Sequence, residues 1–409
     1  MHPFGLYISV PFCRAKCTFC NFASGVYPAS AMPAYIAAVG RQLTGARHWA
    51  AEHGLTLPGI VETVYLGGGT PSLLPPDLLR ELFATIRGEF DLQGDAEITL
   101  EAAPLQLEPA TLEAALRAGV NRISFGVQSF VDGEARATAR THSGTEALAE
   151  IDRMRAAGIA HVSADLIAGL PGQTGGSWAH SVAMLAGAPL DHASIYMFEL
   201  DEDSRLGTEA LRGGMRFGAG MLPKDDAVAD WYEGACVTLA DAGLAQYEIS
   251  NFARVGPHQD GRSRHNERYW LRSPYLGLGV DAHSMLLDAN GSGARFAVGD
   301  ALNAFMQGET WGEPQMLTPA EELEESLFLG LRRNAGVSLS RLRRQFGVPA
   351  VAPYLPIVEQ LAGSGLLTCR IADTDIDTVA LTARGRLLSN EVFAALLAAE
   401  SPRHTHALV

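Results

Sequence analysis

Cys13, Cys17 and Cys20 fall within eight residues near the N-terminus, while Cys236 and Cys369 stand alone and far apart. Thiolates are soft metal ligands, and three on one short loop can converge on a single metal centre. Zinc would need a fourth ligand to close a tetrahedron, and neither His nor Cys is offered nearby. An iron–sulfur cubane fits better: three irons take thiolates and the fourth stays open for a small molecule. A total of five cysteines, low and odd, argues against an extracellular disulfide scaffold and for a reducing compartment. A second chemical cluster, His265-Asn266-Glu267-Arg268-Tyr269-Trp270, sets an imidazole beside flat aromatic rings.

The elements that must position these residues are legible in the hydrophobic pattern. Strand-like runs at Leu6–Val10, Thr63–Leu66, Glu97–Glu101, Arg122–Val127, His161–Ile167 and Ala193–Phe198 alternate with Ala/Leu-rich helical stretches starting near Met32, Pro76, Pro109, Thr145 and Thr174. Such alternation forces parallel strands with helices outside, and parallel sheets bind ligands at the carboxyl ends of their strands. The residues there are the three cysteines, Gly67-Gly68-Gly69-Thr70-Pro71, Glu101, Gln128, Asp165 with Gly169-Leu170-Pro171, and Glu199. A helix from about Asp225 to Ala242 leads into an aromatic, glycine-rich region over 245–315. From about Thr318 the pattern reads three helices, a hairpin of Leu366–Ile371 and Thr378–Thr382 turning at Asp373-Thr374-Asp375, and a last helix.

That final segment has the outline of a winged helix, but from Pro319 to Val409 it holds 9 Arg, no Lys and 10 Asp+Glu, which does not make a DNA-binding surface. The whole chain of 409 residues, with 31 Lys+Arg against 46 Asp+Glu, carries a formal charge of -15, and nucleic acid is excluded as a main partner. The N-terminus lacks the basic start and apolar core of a secretory signal. The uncharged stretch from Leu166 to Leu190 is broken by Pro171, Pro189 and several glycines, so it reads as strand end, loop and helix rather than a membrane span. The expectation is a cytoplasmic protein with no integral membrane segment, any membrane contact being peripheral, and with Cys236 and Cys369 as small core residues.

The spacing Cys13-x3-Cys17-x2-Cys20, with Phe19 before the last cysteine, resembles the radical SAM superfamily. The resemblance implies a [4Fe-4S] cluster on Cys13, Cys17 and Cys20, with its open iron chelated by S-adenosylmethionine (SAM) and reductive cleavage giving a 5′-deoxyadenosyl radical. It also implies that Gly68, Gly69 and Thr70 admit the methionyl group, that Glu101, Gln128, Arg140 and Asp165 hold the methionyl and ribose parts, and that Tyr7 and Phe19 are aromatic neighbours. Longer stretches, Tyr7–Cys13, Gly67–Ser72, Asn121–Phe130, Asp165–Pro171 and His265–Trp270, are similar to the coproporphyrinogen III dehydrogenase-like family over essentially the whole chain.

Two branches of that family matter, the dehydrogenases and the HemW-type haem chaperones. The dehydrogenases resemble one another in a fourth cysteine two residues after the third, where this chain has Phe22, and in an N-terminal extension for which a first strand at about residue 5 leaves no room. The motif His265-Asn266-x-x-Tyr269-Trp270 resembles the chaperones' HNxxYW, which implies His265 as a haem ligand with aromatic surface against the macrocycle. His283 is read as structural. Ala103 stands where relatives carry Asn beside the SAM pocket, and Ser263 stands where many have Cys.

The expected fold is α/β, a partial (βα)6 radical SAM barrel with an α+β linking region and a C-terminal winged-helix-like domain, divided as residues 1–225, 226–317 and 318–409. The expected function is a haem-binding radical SAM protein that cleaves SAM and delivers haem to client haem proteins of the respiratory chain, without a catalytic side chain of its own. Alternatives are oxygen-independent coproporphyrinogen III dehydrogenase, a HemN-like radical SAM methyltransferase, and a structural iron–sulfur protein.

Overall fold

The computed structural model describes residues 3–257, 259–372 and 375–398. Six strands, β1 (Phe4–Val10), β2 (Ile60–Gly68), β3 (Asp91–Ala102), β4 (Arg122–Gln128), β5 (His161–Ala168) and β6 (His192–Met197), pair in sequence order and in parallel. The connections are helical: α1 (Met32–Glu52), α2 (Pro76–Glu89), α3 (Pro109–Ala118), then the short α4 (Asp132–Ala137) with α5 (Gly144–Ala156), and α6 (Gly175–Gly187). Proline in the first turn starts α1, α2 and α3, where a missing N–H costs nothing. The cap of α5 is Ser143, in a reciprocal box with Glu146, two residues before the expected Thr145 start; Thr174 and Ser177 do the same for α6. The expected reading of Leu166 to Leu190 matches the end of β5, a loop and α6.

The strands explain both the core and the site through their period of two. One set of residues (Leu6, Ile8, Val10; Val64, Leu66; Ile98, Leu100; Ile123, Phe125; Val162, Ala164, Leu166) is buried within the main hydrophobic core, which also takes in apolar residues of α1, α2, α3, α5 and α6. The alternate set, Thr63, Tyr65, Glu97, Thr99, Glu101, Arg122, Ser124, Ser163, Asp165, His192, Ser194 and Tyr196, is polar. A narrow space of about 60 Å³ is walled by many of these side chains together, including Tyr65, Glu101, Arg122, Asp165, His192 and Tyr196, so the polar face looks into a lumen.

The linking region completes the sheet rather than standing apart. After α7 (Arg205–Leu211) and α8 (Asp225–Asp241), β7 (Asn251–Ala253) pairs antiparallel with β6 at one edge. Beyond β1, β8 (Tyr275–Leu278) adds a seventh parallel strand, followed by antiparallel β9 (His283–Asp288) and β10 (Gly293–Ala297). The order is β10-β9-β8-β1-β2-β3-β4-β5-β6-β7, an open path, so the barrel is partial.

Between the two edges α9 (Arg264–Trp270) packs against the amino-terminal ends of the strands. Glu97 accepts from the backbone N–H groups of Arg264 (3.1 Å) and His265 (2.9 Å), and forms a buried ion pair with Arg122 at 3.1 Å. Residue 5 must be glycine for this fit, since a Cβ there would lie 2.7 Å from Thr63 Oγ1 and 2.9 Å from Arg268 Cδ.

The C-terminal region has its own core, centred on Leu327, Leu331, Leu339, Val351, Tyr354, Val358, Val379 and Val392. It begins with α10 (Pro319–Leu331), capped by Thr318, and contains a three-stranded sheet of β11 (Val337–Ser338), β12 (Leu367–Ala372) and β13 (Asp375–Leu381) in the order β11-β13-β12. The hairpin is therefore where the sequence placed it; its turn residues Asp373 and Thr374 lie outside the described residues. Cys236 sits half-buried in α8 and Cys369 half-buried in β12. Among the described residues no helix is long and apolar enough to cross a membrane.

Candidate active site

The cysteine loop leaves β1 and is tied down by backbone bonds at its root. Cys13 N–H donates to Gly25 O (2.9 Å), Gly25 N–H to Pro11 O (2.9 Å) and Thr70 N–H to Phe12 O (2.8 Å). Gly69 permits that last approach, because a Cβ there would stand 2.5 Å from Val10 O. On its far side the loop is held by α7: Leu206 N–H donates to Thr18 O at 2.8 Å, and the Arg205 guanidinium donates to Lys16 O. Thr70 Oγ1 lies 3.7 Å from Cys13 Sγ as a donor.

Beneath the loop is a cavity of about 380 Å³, at the carboxyl ends of the parallel strands. Cys13, Cys17 and Cys20 line it, as do Phe19, Gly68, Gly69, Thr70, Glu101, Gln128, Arg140 and Asp165. Two turns in the left-handed region bring in the side chains that lie off the strand pattern. Gln128 has φ +70 at a register shift between β4 and β5, and Ala139 has φ +69 immediately before Arg140. Gly126 leaves space for both, since a Cβ would lie 2.7 Å from Arg140 Nη2 and 2.8 Å from Gln128 Nε2.

The cavity is electrostatically unfinished. Burial pushes the Glu101 carboxyl up to about 7, against the 2.8 Å hydrogen bond it accepts from Tyr65 OH and with the help of the nearby Asp165 charge. Burial likewise raises Asp165 to about 6, although Ser194 and Ser124 bond to it and Arg140 is close. The buried Nε of Arg140 has no hydrogen-bond partner, and burial raises the Cys17 thiol. Two carboxyls of raised pKa and an unpaired guanidinium N–H together suit a ligand that brings both cations and a carboxylate, which SAM does. The three thiols of Cys13, Cys17 and Cys20 line this one cavity together, the donor set that an iron–sulfur cluster takes.

Tyr7 and His265 are not in this cavity. Tyr7 lies behind Gly68, where a Cβ would stand 3.2 Å from its hydroxyl, and it lines a second cavity. His265 is at the opposite end of the lumen, 1% exposed, with Nδ1 bonded to Thr63 Oγ1 and Nε2 to Tyr269 OH, both at 2.8 Å. Its ring stacks on Tyr65 at 5.2 Å, and burial beside Arg268 holds its pKa down to about 3. The motif that looked like one haem-facing unit is divided three ways: His265 into the lumen, Tyr269 to the second cavity, and Trp270 under the Arg332 guanidinium of the C-terminal region at 4.2 Å. His283, read from sequence as structural, is instead exposed on the rim of the second cavity because the turn before β9 turns it outward.

Sequence reasoning missed Tyr196 and Ser124, which also line the first cavity; the signal was their polar alternation along β6 and β4. Glu199, expected there, lies with Phe198 on a different cavity beside α8. Ala103 is buried at the first cavity's wall, and Ser263 caps α9 by accepting from Asn266 N–H at 3.2 Å, a use for a hydroxyl where relatives carry a thiol.

A partial parallel barrel with three loop thiols over a glycine-edged polar cavity defines a protein of the radical SAM class. Residues 7–185 match the Radical SAM superfamily and 317–388 the HemN C-terminal domain. The chain is 30% identical over 397 residues to the heme chaperone HemW of Bacillus subtilis, covering 96% of this chain and 98% of that protein. It is 33% identical over 405 residues to heme chaperone HemW of Mycobacterium tuberculosis (97% and 95% covered) and 33% over 348 residues to the mitochondrial radical S-adenosyl methionine domain-containing protein 1 of Bos taurus (81% and 74%). Coproporphyrinogen III oxidase (HemN) from Escherichia coli shares the fold, with a TM-score of 0.78 at 23% identity over 96% of this chain and 90% of that one. The chain belongs to the radical SAM superfamily and, within it, to the HemN/HemW-like family. Membership implies use of a [4Fe-4S] cluster and SAM and supports a capacity to cleave SAM.

Proposed function

We propose that this protein is a cytoplasmic haem chaperone, which binds haem and passes it to client haem proteins, among them respiratory enzymes at the membrane. The observation that carries the reading is Phe22, in place of the dehydrogenases' fourth cysteine, in a chain similar over nearly its whole length to proteins named heme chaperones. The division into 1–225 for the cluster and SAM, 226–317 for the linking region and 318–409 as a docking or lid domain is part of the same proposal.

When bound, the cluster and SAM supply one-electron cleavage of the S–C5′ bond. The chain's own work is positioning. Cys13, Cys17 and Cys20 would hold three irons. The Gly68-Gly69-Thr70 edge would let backbone approach the methionyl group, while Phe19 covers the cavity from the loop. Glu101 and Asp165 would accept from the ligand's ammonium and ribose hydroxyl groups, Arg140 would pair with its carboxylate, and Gln128 would donate or accept beside them.

Anaerobic titration of cluster-loaded protein with haem, read at the Soret band, is expected to saturate at one haem per chain. Absence of saturable binding would sink the proposal. Conversion of coproporphyrinogen III to protoporphyrinogen in the presence of SAM and reductant would replace it with the dehydrogenase reading.

A further inference from the structure

Resting on the haem-chaperone reading, we infer that His283, not His265, supplies the imidazole to haem iron, at the second cavity beside the cluster loop, and that His265 is a positioning residue acting through Tyr269. Ligation of iron through either ring nitrogen of His265 would break one of two buried 2.8 Å hydrogen bonds, in a ring stacked on Tyr65. It lines neither the SAM-side cavity nor the second one. Breaking a buried hydrogen bond costs more than recruiting an exposed imidazole that has none to lose.

The second cavity encloses about 400 Å³ and opens to solvent. Tyr7, Phe22, Tyr269 and Tyr275 give it aromatic walls, and Asp281 and His283 stand on its rim. His283 is exposed, and its ring has no hydrogen-bond partner among the described residues. Asp281 has φ +57, in the left-handed region that aspartate, like asparagine, adopts in turns. The turn that holds it is fixed by Asp281 N–H to Gly299 O (3.1 Å) and by Ala282 N–H to Gly279 O (3.3 Å).

The other feature is apolar surface in water. Phe22 is 61% exposed on the cluster loop and borders both cavities, as Gly68 does. An aromatic ring so placed is a face for a flat macrocycle. An open cavity would grip one part of the porphyrin and leave its propionate edge in solvent, directed away from the Asp281 carboxylate. A half-enclosed cargo with a single side-chain ligand is the geometry that allows hand-over. Tyr269 joins His265 to the wall of the second cavity: its hydroxyl is fixed by His265 Nε2, and its ring stands edge-on to Tyr275 at 4.6 Å.

The test is a haem titration of full-length, cluster-loaded protein, followed by absorbance and electron paramagnetic resonance. Wild type is expected to show an imidazole-ligated ferric spectrum. His283→Ala is expected to lose that signature and to bind roughly tenfold more weakly or worse, and added imidazole should restore the signature in His283→Gly. Tyr269→Phe, which cuts the link from His265 to the cavity wall, is expected to weaken binding and leave the signature intact. An unchanged signature in His283→Ala overturns this inference alone, as does its loss in a His265→Gln protein whose cluster absorbance and circular dichroism are native. Absence of haem binding by wild type overturns the chaperone reading and this inference with it.

Discussion

Glu101 of β3 and Asp165 of β5 face the same cavity across β4, and their raised pKa values, about 7 and about 6, make the empty site sensitive to pH in a definite direction. A carboxyl whose folded pKa is raised binds more protons folded than unfolded, so stability is full below the unfolded value near 4.5 and falls as pH rises through the folded value. SAM binding should run the other way, since its ammonium needs the carboxylates charged. Glu101→Gln is therefore expected to stabilise the unliganded protein at pH 8 by on the order of 1–3 kcal/mol, with little effect at pH 4.5. It should also remove most of the gain in SAM affinity between pH 6 and pH 8. Chemical denaturation at the two pH values and calorimetric SAM titration check this, and a variant less stable than wild type at pH 8 would refute it. These acids were legible because each lies in the carboxyl-terminal half of a parallel strand, on its polar face. Gln128 was legible in the same way, after the fourth strand, but Arg140 only by resemblance, since what aims it, a left-handed Ala139 off the strand pattern, leaves no mark in hydrophobic periodicity.

At the scale of elements, α9 decides whether the lumen is a closed site or an open tube. Its seven residues could not hold a helix alone. It is held by Glu97, by the ion pairs of Glu62 with Arg264 and Arg268, and by the space left at Gly5. Gly5→Ala is expected to destabilise by about 1–3 kcal/mol, because the new methyl meets Thr63, Arg268 and the His265 ring at once. Gly45→Ala, on the open face of α1 with nothing within 4 Å, should stabilise by about 0.5–1 kcal/mol. Urea midpoints of the two variants moving in the same direction would contradict this account. The parallel strands and outer helices were readable from the sequence because burial imposes a period on each. Where the side chains of the His265 motif point was not legible, because a seven-residue helix carries no usable period. Its histidine points wherever the tertiary fold sends it, here into the lumen.

For the whole molecule, the question is how the second core, absent from the lumen and the cavities of the site, is coupled to the first. The join is polar. Glu325 of α10 receives Arg272, which follows α9, at 2.8 Å and Arg295 of β10 at 2.9 Å; Arg333 reaches Glu267 of α9 at 3.3 Å, and Arg332 covers Trp270. A join held mainly by half-buried ion pairs is weaker than a shared hydrophobic core, and removing the carboxylate that bridges Arg272 and Arg295 leaves Arg272 only the longer pair with Glu322 at 3.6 Å and Arg295 no carboxylate among the described residues. Glu325→Ala is therefore expected to uncouple the two cores, so that the C-terminal region unfolds before the barrel and calorimetry resolves two transitions where wild type gives one. Because α9 carries Tyr269 to the second cavity, the same variant should bind haem more weakly while its SAM affinity stays near wild type. A single unshifted transition, or an equal loss of both ligands, would mean that the C-terminal region is not held through Glu325 and does not act on the cavity through α9.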